Sequence, residues 1–221
     1  MPVARPGLGR RLYGLLRLAH PFPSALNAAI TAVVAGYAGG ATDVIVRLAL
    51  AMLAIQVSIG ATNDVVDTPA DRIAKPTKPI PGGLVPAGLA VIVAAVGFSI
   101  GLGLAASVSI PALFLALGGC AAGLAYDLRL KGTAASWLPF AVGIPLMPLF
   151  AWVGATGEVP GPILLLAGLA VPSGAAIALA NALPDIERDT ASGVRTVATA
   201  LGRARGVGVL AALQALVVVG A

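Results

Sequence analysis

N-D-V-V-D-T-P-A-D, Asn63 to Asp71, closes an apolar run that begins near Val44, and N-A-L-P-D-I-E-R-D, Asn181 to Asp189, closes another that begins near Pro160. Both spell Asn-x-x-x-Asp-x-x-x-Asp. Residues four apart on a helix lie one turn above each other, so each copy aligns an amide and two carboxylates along one stripe at the polar end of an apolar segment. Such a stripe suits a hard cation and the anion that the cation carries. Pro69 and Pro184 fall inside the copies, which predicts a kink in each stripe.

The background gives these carboxylates their weight. Of 221 residues, 58% are hydrophobic and only 10% charged, with mean hydropathy +0.97, so the chain lacks the polar surface of a water-soluble domain. A membrane span needs about 20 mostly apolar residues. Seven runs qualify, near Pro21–Gly40, Val44–Thr62, Pro86–Ala106, Ile110–Tyr126, Ala134–Val153, Pro160–Asn181 and from Gly206 onward. They are too long and too rich in Ala, Leu and Gly for the alternating strands of a barrel. The expected fold class is therefore all-α, a polytopic transmembrane helix bundle.

Thirteen of the fourteen Lys and Arg fall on one side of these runs, and only Arg47 lies near the other. Arg5, Arg10, Arg11 and Arg17 precede the first run; Arg72, Lys75 and Lys78 follow the second; Arg129 and Lys131 follow the fourth; Arg188, Arg195, Arg203 and Arg205 follow the sixth. The positive-inside rule then turns the N-terminus and both Asp motifs to the cytoplasm. Seven of the nine acidic residues share that side, with Asp43 and Glu158 opposite, so the net charge of +5 reads as topology and excludes a nucleic-acid partner. Cys120, the single cysteine, excludes an intrachain disulfide.

The motifs start 118 positions apart and end the second and sixth runs, the signature of a repeated four-helix unit with its Asp clusters on opposing walls. The chain stops within its seventh apolar run. The expectation is a single membrane-embedded domain, residues 1–221, truncated at its C-terminus.

Carboxylate oxygens with retained waters suit Mg²⁺, which commonly bridges one or two carboxylates to substrate phosphates. Two opposed clusters can hold such ions around one diphosphate. Loss of diphosphate from an allylic substrate puts negative charge on the leaving group and positive charge on carbon; metal ions with Lys, Arg and Tyr donors stabilise the first. A helix bundle supplies the dry apolar pocket that the second requires.

Three stretches carry a resemblance. N-D-V-V-D-T-P-A-D-R-I-A-K-P-T-K-P-I-P-G-G at Asn63–Gly83 resembles the first signature of the UbiA superfamily of intramembrane prenyltransferases, in the manner of 4-hydroxybenzoate polyprenyltransferases. Asp185 and Asp189, with G-V-R-T-V-A-T-A-L-G downstream, resemble the second signature, and Y-D-L-R-L-K-G at Tyr126–Gly132 resembles the Tyr-and-Lys motif between them. The resemblance spans the whole chain and implies a UbiA-like bundle of nine helices, of which about seven are present.

It implies site roles as well. Asn63, Asp64, Asp67 and Asp71 would hold one Mg²⁺, and Asn181, Asp185 and Asp189 the other, with Asp67, Asp71, Asp185 and Asp189 as the catalytic set. Lys78, Tyr126 and Lys131 would bind diphosphate oxygens, Arg72 adds a contact, and Asn27 matches a polar position of the first helix near the metal. Lys75 and Arg195 are weaker candidates, since interfacial basic residues are common.

Other polar residues have plainer readings. Asp127 and Glu187 suit helix boundaries, His20 beside Pro21 suits an interface, and Asp43 with Arg47 suits a surface pair. Gln56 either lines the cavity or bonds between helices.

The function so expected is Mg²⁺-dependent transfer of a prenyl group from a prenyl diphosphate to an acceptor, by default aromatic, in quinone or lipid biosynthesis within a bacterial or archaeal cell membrane. A secondary transporter is the alternative. Carriers place their binding groups near the bilayer midplane, whereas these motifs lie at the ends of spans.

Overall fold

The computed structural model describes residues 7–220, and every regular element in that range is helical. Arg5, counted above among the basic residues, lies outside the described residues. In chain order the helices are α1 (Leu8–Leu18), α2 (Pro21–Tyr37), α3 (Thr42–Ala74), α4 (Ala87–Val108), α5 (Ile110–Ala125), α6 (Leu138–Thr156), α7 (Gly161–Ala182), α8 (Ile186–Ala191), α9 (Val197–Leu201) and α10 (Arg203–Gly220). A π-helical turn, Tyr126–Leu130, extends α5, and a 3-10 turn, Leu183–Asp185, joins α7 to α8.

Chain chemistry marks the boundaries. Ser109 caps α5 by accepting the Ala112 N–H at 3.2 Å, and α6 stops at Gly157, whose φ of 75° is open to glycine without steric cost. Among the described residues six helical stretches are long and apolar enough to cross a membrane: Thr42–Ala74, Ala87–Val108, Ile110–Leu130 (α5 with the π-helical turn), Leu138–Thr156, Gly161–Ala191 (α7 through α8) and Arg203–Gly220. The seventh expected run is α2, 17 residues long, which meets α1 at a bend of 52°.

α3 is the axis of the bundle, with α2 and α4 along its flanks and α5 and α6 touching it; α7 packs on α6, and α10 on α7. The main core gathers Leu48, Ala51, Met52 and Ile55 of α3 with Ala112, Ala116 and Cys120 of α5 and Phe150 of α6. Small residues let these backbones approach, as they do in lipid where apolar side chains alone do not drive association. At Gly174 of α7 a Cβ would stand 2.2 Å from the Phe140 carbonyl oxygen.

The two motif prolines behave differently. α3 remains α-helical through Pro69 to Ala74, because a proline there forfeits one N–H bond while the turns on either side carry on. The helix is unbroken at this position. At Pro184 the helix does yield, into the 3-10 turn.

Candidate active site

α3 outlasts its apolar run by about three turns, and this extension carries the first motif. Four acidic or amide side chains on one helix cannot all share a face at 100° per residue. Asn63 and Asp67 face the π-helical turn, whereas Asp64 and Asp71, seven residues apart, face the loop between α3 and α4. The expected four-residue ligand set is thus divided.

On the loop side, Asp64 is 1% exposed and Asp71 5%. Lys78 Nζ donates to Asp64 Oδ1 at 2.9 Å and forms an ion pair with Asp71 Oδ2 at 2.7 Å. His20 Nε2 approaches Asp64 Oδ1 to 3.4 Å, its ring seated over Gly60, where a Cβ would stand 2.7 Å away. Burial works against the Lys78 ammonium, but the carboxylates of Asp71 and Asp64 outweigh it and hold the group above the usual lysine range.

On the other side, Lys131 pairs with Asp67, and Asn63 Nδ2 donates to Asp127 Oδ1 at 2.8 Å. Asp127 is buried and its Oδ2 has no hydrogen-bond partner among the described residues. Tyr126 stacks edge-on against Phe140 with ring centroids 5.1 Å apart, and Lys131 Nζ stands 5.9 Å from the Tyr126 centroid. The Tyr126 phenol lies within electrostatic range of Asp127 and Asp67 on one wall and of Asp189 on the other.

The second wall is looser. Arg188 Nη2 is 2.8 Å from Asp185 and its Nε 3.9 Å from Asp189, while Asn181 is exposed and makes no side-chain hydrogen bond among the described residues. Glu187 pairs with Arg203 outside the site. Arg72, Lys75 and Arg195 are all exposed.

A cavity of about 220 Å³ runs into the bundle from Tyr126. Asn27, Gln56 and Tyr126 supply its polar lining, and Met52, Met147 and Phe150 are among its apolar walls. Gln56 thus faces the cavity, with its amide against the Met52 sulfur.

Among the described residues no three of His, Cys, Asp and Glu converge on one point as a ready ligand set. Each motif carboxylate is held by a basic residue instead. The residues still fit Mg²⁺: the donors are hard oxygens, a buried carboxylate oxygen on Asp127 lacks a partner, and cationic side chains already occupy the positions that divalent charge would take.

Two residues escaped the sequence reading. Asp127 reads as a helix boundary and His20 as an interface residue, yet both are packed against the first motif. For Asp127 the signal was its place beside Tyr126 and four before Lys131; for His20 only tertiary contact reveals it.

Comparison with known proteins follows the same lines. The model of the UbiA prenyltransferase family matches residues 24–221. Digeranylgeranylglyceryl phosphate synthase of Methanopyrus kandleri is 31% identical over 191 residues, covering 85% of this chain and 69% of its own length. The protein of that name from Pyrococcus abyssi is 30% identical over 166 residues, 72% of this chain and 58% of its own. Among solved structures, a UbiA homolog from Archaeoglobus fulgidus bound to GPP and Mg²⁺ superimposes with TM-score 0.81 at 20% identity, over 94% of this chain and 76% of that one. A digeranylgeranylglyceryl phosphate synthase structure gives 0.80 at 19%, over 95% and 76%. At such identities the structural likeness shows the fold.

Proposed function

The chain belongs to the UbiA prenyltransferase family, an integral multi-pass membrane enzyme, and from that premise we propose that it moves a prenyl group from a prenyl diphosphate to the free hydroxyl of a prenylated glycerol phosphate. Its two curated relatives are named for a product of that kind, which favours this acceptor over the aromatic one expected from the sequence. The observation that carries the reading is the Asp67–Lys131 pair set beside Tyr126, whose ring lines the apolar cavity.

In this reading Asn63 and Asp67 on α3, and Asp185 and Asp189 on the second wall, would hold Mg²⁺; Asn181, Asp64 and Asp71 are the weakest members, the first exposed and the other two turned to Lys78. Bound Mg²⁺ supplies charge neutralisation for the departing diphosphate. Lys131, released from Asp67, and Lys78 donate to diphosphate oxygens, with Arg72 at the rim. The Tyr126 ring and the apolar wall from Met52 to Phe150 take the isoprenoid and exclude water from the allylic carbon. The carbon–oxygen bond to diphosphate breaks, a bond to the acceptor oxygen forms, and the hydroxyl proton passes to a motif carboxylate. Asn27 and Gln56, at the polar end of the cavity, orient the reacting end of the donor. The domain works as one membrane-embedded unit with its motif face toward the cytoplasm.

The test is Mg²⁺-dependent diphosphate release in lipid nanodiscs, with geranyl, farnesyl or geranylgeranyl diphosphate and either a prenylated glycerol phosphate or an aromatic acceptor. Release that requires the glycerol phosphate, Mg²⁺ and Asp67 is the expected result. Release with aromatic acceptors alone returns the acceptor to the sequence expectation, and release indifferent to Asp67→Asn removes the two-wall mechanism.

A further inference from the structure

α1 presents three faces to its surroundings, and the protein occupies one and part of another. Gly14 and Leu18 turn to the protein: a Cβ on Gly14 would stand 2.7 Å from Leu84 Cβ and 2.9 Å from Val85 Cγ2, so the helix lies directly on the end of the loop that carries Lys78. About 80° around the helix, Arg10 and Arg17 form a second face, and Arg17 Nη1 donates to the Thr77 carbonyl at 2.8 Å. Leu8, Leu12 and Leu16 form the third, 75%, 58% and 58% exposed, roughly opposite the arginines. Nothing in the described chain covers them.

We propose that this leucine stripe is sunk at the acyl boundary of the bilayer while Arg10 and Arg11 bind anionic lipid headgroups, making α1 a strap that couples the membrane surface to the Lys78 loop. Charge supports that occupant: both arginines are exposed and have no acidic partner among the described residues. Arg72, Lys75, Arg129, Arg195 and Arg205, on the same side of the spans, are equally unpaired there. Continuity supports it too. α2, the first apolar run, follows α1 directly, and the 52° bend between them turns α1 off the α2 axis. His20 makes the bend with φ 45°, the left-handed region that a non-glycine residue avoids, and among the described residues it alone does so. Its ring is fixed between Gly60 and Asp64. A helix with a leucine stripe on one side, Arg10 and Arg17 opposite it and Arg11 on its flank is the form that lies in a headgroup layer.

The lipid contact stands independently of the proposed reaction; its consequence for Lys78 rests on that reading. The full chain is placed in nanodiscs with spin labels at Leu12→Cys or Leu16→Cys, Cys120 being buried and silent. Labels there are expected to collide with oxygen in preference to a water-soluble nickel chelate, and a label at Arg10→Cys to do the reverse. A dye at Leu12→Cys is expected to be quenched preferentially by brominated anionic lipid over brominated zwitterionic lipid, with local enrichment of about fivefold per arginine, and Arg10→Gln with Arg11→Gln to abolish the preference. Labels at 12 and 16 that favour the chelate, or line shapes frozen by packing against a second copy or another helix, overturn the proposal. So does a lipid preference that survives loss of both arginines. Binding of an unreactive prenyl thiolodiphosphate is expected to weaken severalfold in zwitterionic discs. Equal affinity removes the coupling to Lys78, and no binding in either lipid counts against the proposed reaction while the label result still decides the lipid contact.

Discussion

Replacing Lys78 with methionine removes the one ammonium that faces both Asp64 and Asp71. The two carboxylate side chains are 2% and 7% exposed, and Lys78 itself 18%, so water cannot take over the lost interaction without opening the loop from α3. Breaking a buried pair from one side costs about 3–5 kcal/mol, several times the value of a surface pair. Methionine retains most of the aliphatic stem, so the loss reports charge more than packing. The assay is unfolding in mixed micelles at neutral pH, with Asp64→Asn alone and combined with Lys78→Met. The combined variant is expected to recover part of the loss, with a coupling of about 1–3 kcal/mol. The pH dependence has a definite sign. Lys78 is held above its ordinary value, so its contribution is complete below the unfolded lysine pKa of about 10.4 and disappears as pH rises through the still higher folded value. No loss from this source is expected between neutral pH and about 10. A cost for Lys78→Met below about 1 kcal/mol, or no coupling to Asp64, refutes the view that this lysine pins the loop.

Asn63→Ala strips the one donor from Asp127 and leaves both its oxygens unpaired, a loss of about 1–3 kcal/mol in the same unfolding assay. Gly174→Ala drives a methyl into the Phe140 carbonyl and is expected to eliminate monodisperse protein on size exclusion, whereas Gly118→Ala meets only the flexible end of Leu146 at 3.2 Å and is tolerated. Phe150→Ala costs about 3–5 kcal/mol and deepens the cavity, so the initial-rate ratio of geranylgeranyl to farnesyl diphosphate is expected to rise. Asp67→Asn and Asp185→Asn are each expected to abolish Mg²⁺-dependent diphosphate release with an unchanged elution profile.

Apolar runs and their basic flanks located every long helix, because lipid leaves a spanning segment no other way to satisfy its backbone. What they concealed was length beyond the membrane. α3 runs twelve residues past Thr62, where the sequence reading ended the second span, since polar residues continue a helix once its first turns are set. The paired motifs were equally legible as carboxylate stripes. Their partners were not: Lys78 reaches Asp64 across a loop, and Asn63 reaches Asp127 across 64 positions, contacts that no local period announces. His20 was read from its neighbour Pro21, and only the packing of α2 on α3 brings its ring over Gly60. The acceptor left no mark in the motifs, because the groups that grip diphosphate are indifferent to what attacks the allylic carbon.

The π-helical turn at Tyr126–Leu130 holds one residue more than an α-helical turn would. Such a turn can be gained or lost by a single-codon insertion or deletion without severing the helix. Deleting Leu128 would tighten it into ordinary helix and rotate Lys131 by about 100° relative to Tyr126, away from Asp67. Family members that differ in length at this turn would then differ in chemistry while every ionisable residue stayed in place. A comparison by residue identity alone would miss that change; the gap column of an alignment would carry it.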